Sequence, residues 1–170
     1  VLGALAWAPS RRGLVAAGGA SVARGLVCGW AAGGRVPWRV WPARGASRAR
    51  LLSLRGFNDG RDAWEAAGPV LAAQGITVIA PDMRGFGGTA ERGLWPGSTR
   101  LVADLGEEIA LLKHEAPDTP LYLAGESMGG AVAMLFMAQP AAQSIAGAVL
   151  LAPAVGNMGP GVRVSVAAQG

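Results

Sequence analysis

From about Val36 onward, apolar and polar residues fall into regular patterns. "VPWRVW" (36–41) alternates and reads as an edge strand, with its proline at the outer end. "PARGASRA" is a turn, and "LLSL" (51–54) is a short unbroken apolar run of the kind buried on both faces of a sheet. "RGFNDGRD" is a loop of turn-forming residues. Residues 62–74 have a helical period, with Asp62 as cap and Gly75 just past the end; Gly68-Pro69 divides the stretch, so that a second helix starts at Pro69. "ITVIA" is the next buried strand, and 81–97 is a long Gly/Pro loop. Ser98 is expected to cap a helix through Glu115, in which Leu101, Leu105, Ile109 and Leu112 share a face. "LYLAG" is a strand, 129–138 a helix and "GAVLLAP" another strand. Strands alternating with helices imply right-handed crossovers and a mostly parallel sheet, an α/β fold. Residues 1–34, rich in Arg, Gly and Ala, follow neither period and stay unassigned; 35–155 form the domain, and 156–170 read as an irregular tail.

Composition narrows the classes of function. At 170 residues and 51% hydrophobic, the chain can bury a core. Its net charge of +4 is unevenly spread. Residues 1–50 hold eight arginines and no acid; the remainder sets seven cations against eleven acids, a net of −4. A mildly acidic body lacks the basic face that phosphate binding needs, so nucleic acid is not an expected partner. A single cysteine, Cys28, and a single histidine, His114, exclude an internal disulfide framework and a histidine-based zinc site. No cofactor is expected, and the chemistry falls to Ser, Asp, Glu and backbone groups. No uncharged apolar run reaches the 18 residues of a spanning helix. "SRRGLVAAGGASVARG" places two arginines before an apolar stretch and resembles a secretory signal. Residues 9–28 are then either an export signal or a disordered leader, the second placing the protein in the cytoplasm.

The sharpest motif is G-x-S-x-G in "LYLAGESMGGAVAMLF". With 27 glycines and eight serines in the chain, chance alone supplies about 0.2 such matches, so the pattern counts only in context. A nucleophilic serine elbow needs a strand before it, a helix after it, and glycines where the backbone turns too tightly for a Cβ. All three are present. In that arrangement Ser127 Oγ stands clear at the carboxyl end of the sheet, and the N–H of Met128, at the helix start, is free to donate to a developing oxyanion. The competing reading is a serine that merely caps an ordinary helix.

"LLSLRGFND", "APDMRGFGGT", "YLAGESMGGAVA" and "VLLAPAV" follow one another in the order seen in α/β-hydrolases. Over about residues 35–155 the chain resembles the monoglyceride lipase/lysophospholipase branch, which is also grouped with serine aminopeptidase-like hydrolases. The resemblance implies the amino-terminal part of the α/β-hydrolase fold without its last strands. It implies Ser127 as nucleophile, with the backbone N–H groups of Phe57 and Met128 as oxyanion donors. The family's histidine at the start of the first loop is Arg55 here, so the loop is expected to lose that residue's hold and the oxyanion hole to be poorer. Asp82 and Arg84 are expected to tie down the 81–97 loop, as their family counterparts do. Gly85, Gly87 and Ala90 also satisfy G-x-G-x-x-A, but the residues after them carry Gly, Pro and Gly and cannot open the helix a dinucleotide site requires. Glu126 flanks the nucleophile without a catalytic role; Trp95 and Pro96 either line the pocket mouth or serve packing.

The general base is the difficulty. His114 ends the helix that precedes "LYLAG", at the amino edge of the strand, whereas Ser127 lies past its carboxyl edge. A five-residue strand spans about 17 Å, and a base must come within about 3 Å of the serine oxygen. His114 is therefore read as a solvated helix-end residue. Hydrolases of this fold place the acid and then the histidine after the serine; here no Asp or Glu follows Glu126 and no His follows His114. Three readings stay open: a serine hydrolase seen as an incomplete, inactive chain; a shortened non-catalytic relative that binds a ligand or partner; and an unrelated parallel α/β fold. In the first, the substrate is a carboxylic ester such as a monoacylglycerol or lysophospholipid, with contact to a lipid surface and an oligomeric state left open.

Overall fold

The computed structural model describes residues 23–29, 35–59 and 61–156. The remaining parts of the arginine-rich head and of the tail, including most of the signal-like stretch, lie outside the described residues. The elements are β1 (Ala23–Gly29), β2 (Arg35–Trp41), β3 (Ala49–Leu54), α1 (Ala67–Ala73), β4 (Ile76–Pro81), α2 (Ser98–Glu115), β5 (Leu121–Glu126), α3 (Met128–Met137) and β6 (Gly147–Leu151). Short 3₁₀ turns at Arg61–Trp64 and Pro140–Ser144 complete them.

Among the described residues, one six-stranded sheet runs in the order β1-β2-β4-β3-β5-β6. β4, β3, β5 and β6 are parallel, while β1 and β2 are antiparallel to their neighbours. Parallel neighbours require crossovers, and helices supply them. Side chains alternate across the sheet. Leu52, Leu54, Ile79, Leu121 and Leu123 face Leu105, Ile109, Leu112, Val132 and Phe136 of α2 and α3. Val78, Ala80 and Ala124 face Trp41, Trp64 and Ala72 on the other side. Full burial of a Leu or Phe side chain is worth about 1.5–3 kcal/mol, so the first cluster supplies most of the stability.

Several boundaries differ from those the pattern suggests. β2 is not an edge strand, because β1, within the unassigned head, pairs outside it. Pro37 still contributes a carbonyl, which accepts the Asp82 N–H at 2.9 Å. Asp62 does not cap a helix; it lies in the 3₁₀ turn and pairs with Arg39. α1 begins at Ala67, so that Pro69 sits in its first turn, where its missing N–H has no partner to lose. Ser98 is the first residue of α2, whose cap is Gly97 at φ +84°, without a side-chain bond. β6 forms the far edge of the sheet, with Val149, Leu150 and Leu151 exposed.

Candidate active site

The site is built around the junction of β5 and α3. Ser127 has φ +47° and ψ −114°, a sparsely allowed conformation for a residue with a Cβ, and its side chain makes no helix-cap bond. That geometry is at odds with a capping serine, which sits in extended backbone and bonds back to the helix. Three backbone bonds fix the turn: Ser127 N–H donates to Leu151 O at 2.9 Å, and Ser127 O accepts from Ala131 at 3.0 Å and Ala154 at 2.8 Å. Strand and helix can approach this closely only because the flanking residues are glycines. A Cβ on Gly125 would stand 2.5 Å from the Gly129 carbonyl oxygen, and one on Gly129 would stand 2.7 Å from that of Arg55.

The loop after β3 is the second component. Gly129 N–H donates to Arg55 O at 3.0 Å, joining the start of α3 to this loop. Ser127 Cβ lies 3.6 Å from where a Cβ on Gly56 would sit, so the serine adjoins the Gly56–Phe57 peptide. Among the described residues, no turn, loop or cap hydrogen bond uses the N–H of Phe57 or of Met128. Asn58, at φ +63°, turns the chain back so that the Asp59 carboxylate also lies beside Gly56, 2.9 Å from that same point. Nothing in the reading of the motifs singled out Asp59; its only signal was the turn-forming Asn before it.

Arg55 departs from what the sequence leads one to expect. Its side chain is fully buried, its guanidinium is 3.8 Å from the Asp82 carboxylate and it lies 5.5 Å from the centre of the Phe86 ring. The substituted residue thus lies between the loop after β3 and the 81–97 loop, against Asp82 and Phe86. A planar cation that tolerates an aromatic face and a carboxylate is suited to such a position. Asp82 also accepts the Gly88 N–H at 2.8 Å. Arg84 binds both oxygens of buried Asp104, at 2.8 and 3.0 Å, and Glu91 at 3.2 Å. The hydrogen bond to Asp104 raises the Arg84 pKa above its already high ordinary value, so the guanidinium stays protonated. Asp82 and Arg84 thus anchor the 81–97 loop, as expected.

Beside this loop opens a cavity of about 400 Å³, whose walls include Phe57, Asp59, Asp82, Phe86, Arg92 and Trp95. Ser127 is half-buried and is not among its lining residues; Gly56 stands next to both. Trp95 lines the mouth, and Pro96 does not. His114 is in the last turn of α2, before the amino end of β5. Ser127 follows the opposite end of that strand, roughly 20 Å away at about 3.3 Å per residue. Among the described residues no group of three metal-ligating side chains occurs.

The sequence pattern of the family described as "Serine aminopeptidase, S33" matches residues 45–168, more than two thirds of the chain. The chain belongs to this family. A relative, lipase LipV of Mycobacterium tuberculosis (strain ATCC 25618 / H37Rv), is 35% identical over 122 residues, covering 71% of this chain and 43% of LipV. Monoglyceride lipase of Homo sapiens is 29% identical over 118 residues, covering 69% of this chain and 39% of that enzyme. This S33 chain therefore spans about two fifths of the length of these curated relatives. A crystal structure of a soluble variant of Saccharomyces cerevisiae monoglyceride lipase with a substrate analogue superposes with a TM-score of 0.67 at 23% identity, over 78% of this chain and 46% of that one. The superposition bears on the fold alone: the S33 chain has the α/β-hydrolase architecture that the four ordered motifs imply.

Proposed function

We propose that this S33 protein is a carboxylic-ester hydrolase in which Ser127 forms the acyl-enzyme. The observation that carries the reading is the conformation of Ser127, a non-glycine residue at φ +47° without a cap bond, immediately beside the Gly56–Phe57 peptide. A protein keeps such strain where a side chain must be aimed. Ser127 Oγ attacks the acyl carbonyl, the carbonyl C–O π bond opens to an oxyanion, and the N–H groups of Phe57 and Met128 receive it. Collapse of this intermediate expels the alcohol, whose oxygen receives the proton removed from Ser127, and water then releases the acid. The named relatives are a lipase and a monoglyceride lipase, which favours a monoacylglycerol or lysophospholipid-like ester as substrate.

These 170 residues hold one histidine, at the wrong end of β5. The proton of Ser127 must then be taken by a base from outside them, and the chain by itself is expected to turn over very slowly. The missing base also favours a second reading, a non-catalytic binder of the same ligand. Imidazole in solution separates the two by supplying the base chemically. Hydrolysis of nitrophenyl butyrate should rise with imidazole in the unsubstituted chain beyond the rise seen with Ser127→Ala. Equal rates for the two at every imidazole concentration would leave the binder.

A further inference from the structure

We propose that the tip of the 81–97 loop, with Phe57, is a docking surface for a zwitterionic phospholipid surface, seating the mouth of the cavity on it. The purpose of such docking rests on the lipid-ester reading above; its test does not. Beyond β4 the chain folds back on itself. Gly93 N–H donates to Gly85 O at 2.8 Å, Leu94 N–H to Glu91 O at 2.9 Å and Arg92 N–H to Thr89 O at 3.2 Å. A Cβ on Gly85 would lie 2.2 Å from the Leu94 carbonyl oxygen, so the turn closes without room for any side chain there. Arg84, bound by Asp104 and Glu91, fixes its base.

This bracing does not turn the large apolar groups inward. Leu94 is 68% exposed, Trp95 59% and Phe57 66%. The Phe57 and Trp95 rings lie 6.5 Å apart, and both rest on buried Phe86, at 5.2 and 6.4 Å, so the three exposed side chains form one apolar lip over the cavity. Apolar groups held outward on a braced turn mark a contact surface more than an unpacked core. "RGLWPG" at the tip contains one cation and no acid, and neighbouring Glu91 is engaged by Arg84.

Trp and Phe at the headgroup level, Leu among acyl chains and an arginine at lipid phosphate are the chemistry of interfacial attachment. In the adjoining cavity wall Arg92 stands against Asp59, while Asp62 is paired with Arg39; with no net positive face there, phosphatidylglycerol gains nothing over phosphocholine. Among the described residues no helix is long and apolar enough to cross a membrane.

The test is co-sedimentation of the whole chain with sucrose-loaded phosphatidylcholine vesicles. The unsubstituted chain should sediment with them, and Leu94→Asp and Trp95→Ala should each lower the partition coefficient about tenfold or more. Val149→Asp, on the exposed β6 edge, should change it less than about twofold, and all variants should keep their far-ultraviolet circular dichroism. Adding phosphatidylglycerol should strengthen binding less than about twofold. Failure to sediment, or binding that survives Leu94→Asp but not Val149→Asp, would overturn the proposal; the second result would assign the vesicle binding to the sheet edge. Ser127→Ala should bind vesicles like the parent. Vesicle binding without serine-dependent turnover in imidazole would therefore sink the hydrolase reading and leave the docking surface standing.

Discussion

The two margins of the sheet are built differently. On one side β2 is buried along nearly its whole length and β1 pairs outside it. Arg39 of β2 also binds Asp62 and Glu65 and stacks 5.2 Å from the Trp41 ring. On the other side β6 ends the sheet with its apolar residues in solvent and no charge or proline to blunt the edge. Ser127 sits between them, its carbonyl and N–H tied to the β6 side while Gly129 ties to the loop after β3. One margin is covered and tied by side chains, and the candidate chemistry lies toward the open one.

That contrast can be broken by substitution. The largest effect is expected at the seam of the elbow. Gly129→Val would drive a branched side chain into backbone and Leu54, whose atoms lie 2.7 Å from the first added carbon. Loss of more than about 4 kcal/mol, seen as loss of cooperative urea unfolding, is expected. Next comes Asp104→Ala, which leaves Arg84 and Arg100 without their shared carboxylate. Removing one member of a buried pair typically costs about 3 kcal/mol; partial exposure of Arg100 lowers that, and a fall of about 2 kcal/mol in unfolding free energy is expected. A smaller change of opposite sign is expected from Ser127→Gly, since glycine accepts φ +47° without a Cβ penalty; a gain of about 1 kcal/mol in urea unfolding is predicted. Smallest is Leu150→Lys on the open edge. Its unfolding free energy should stay within about 0.5 kcal/mol, while self-association measured by sedimentation velocity should fall, because a charged edge resists strand pairing.

How much of this was readable beforehand follows from the range of the interactions. β3, β4 and β5 are short apolar runs bounded by turn residues, and the serine turn is a local strand-glycine-helix arrangement, so all were legible. β1, "ARGLVCG", has no alternation of its own and is specified by pairing with β2. Without it, β2 looked like an edge, as Pro37 suggested. The cap of α2 was misplaced by one residue because Gly97, at φ +84°, starts the helix through its backbone carbonyl, which accepts from Leu101 at 3.2 Å. In the site, Ser127 carried a motif, whereas the burial of Arg55 depends on Asp82 and Phe86, well removed along the chain. Such a contact leaves no trace in local periodicity. Asp59 was hidden for a similar reason, since only the positive φ of Asn58 returns it to Gly56.

The strained residue at the end of β5 is the group proposed to take the acyl chain. With no histidine positioned to activate water, deacylation should lag acylation by the reactive nitrophenyl ester, so an acid quench during imidazole-assisted turnover of nitrophenyl butyrate should trap an acyl-enzyme. Peptide mapping by mass spectrometry after acid quench measures it directly. One butyryl group is expected, carried by the peptide containing Ser127. Acylation spread over other residues, or none on that peptide, would contradict it.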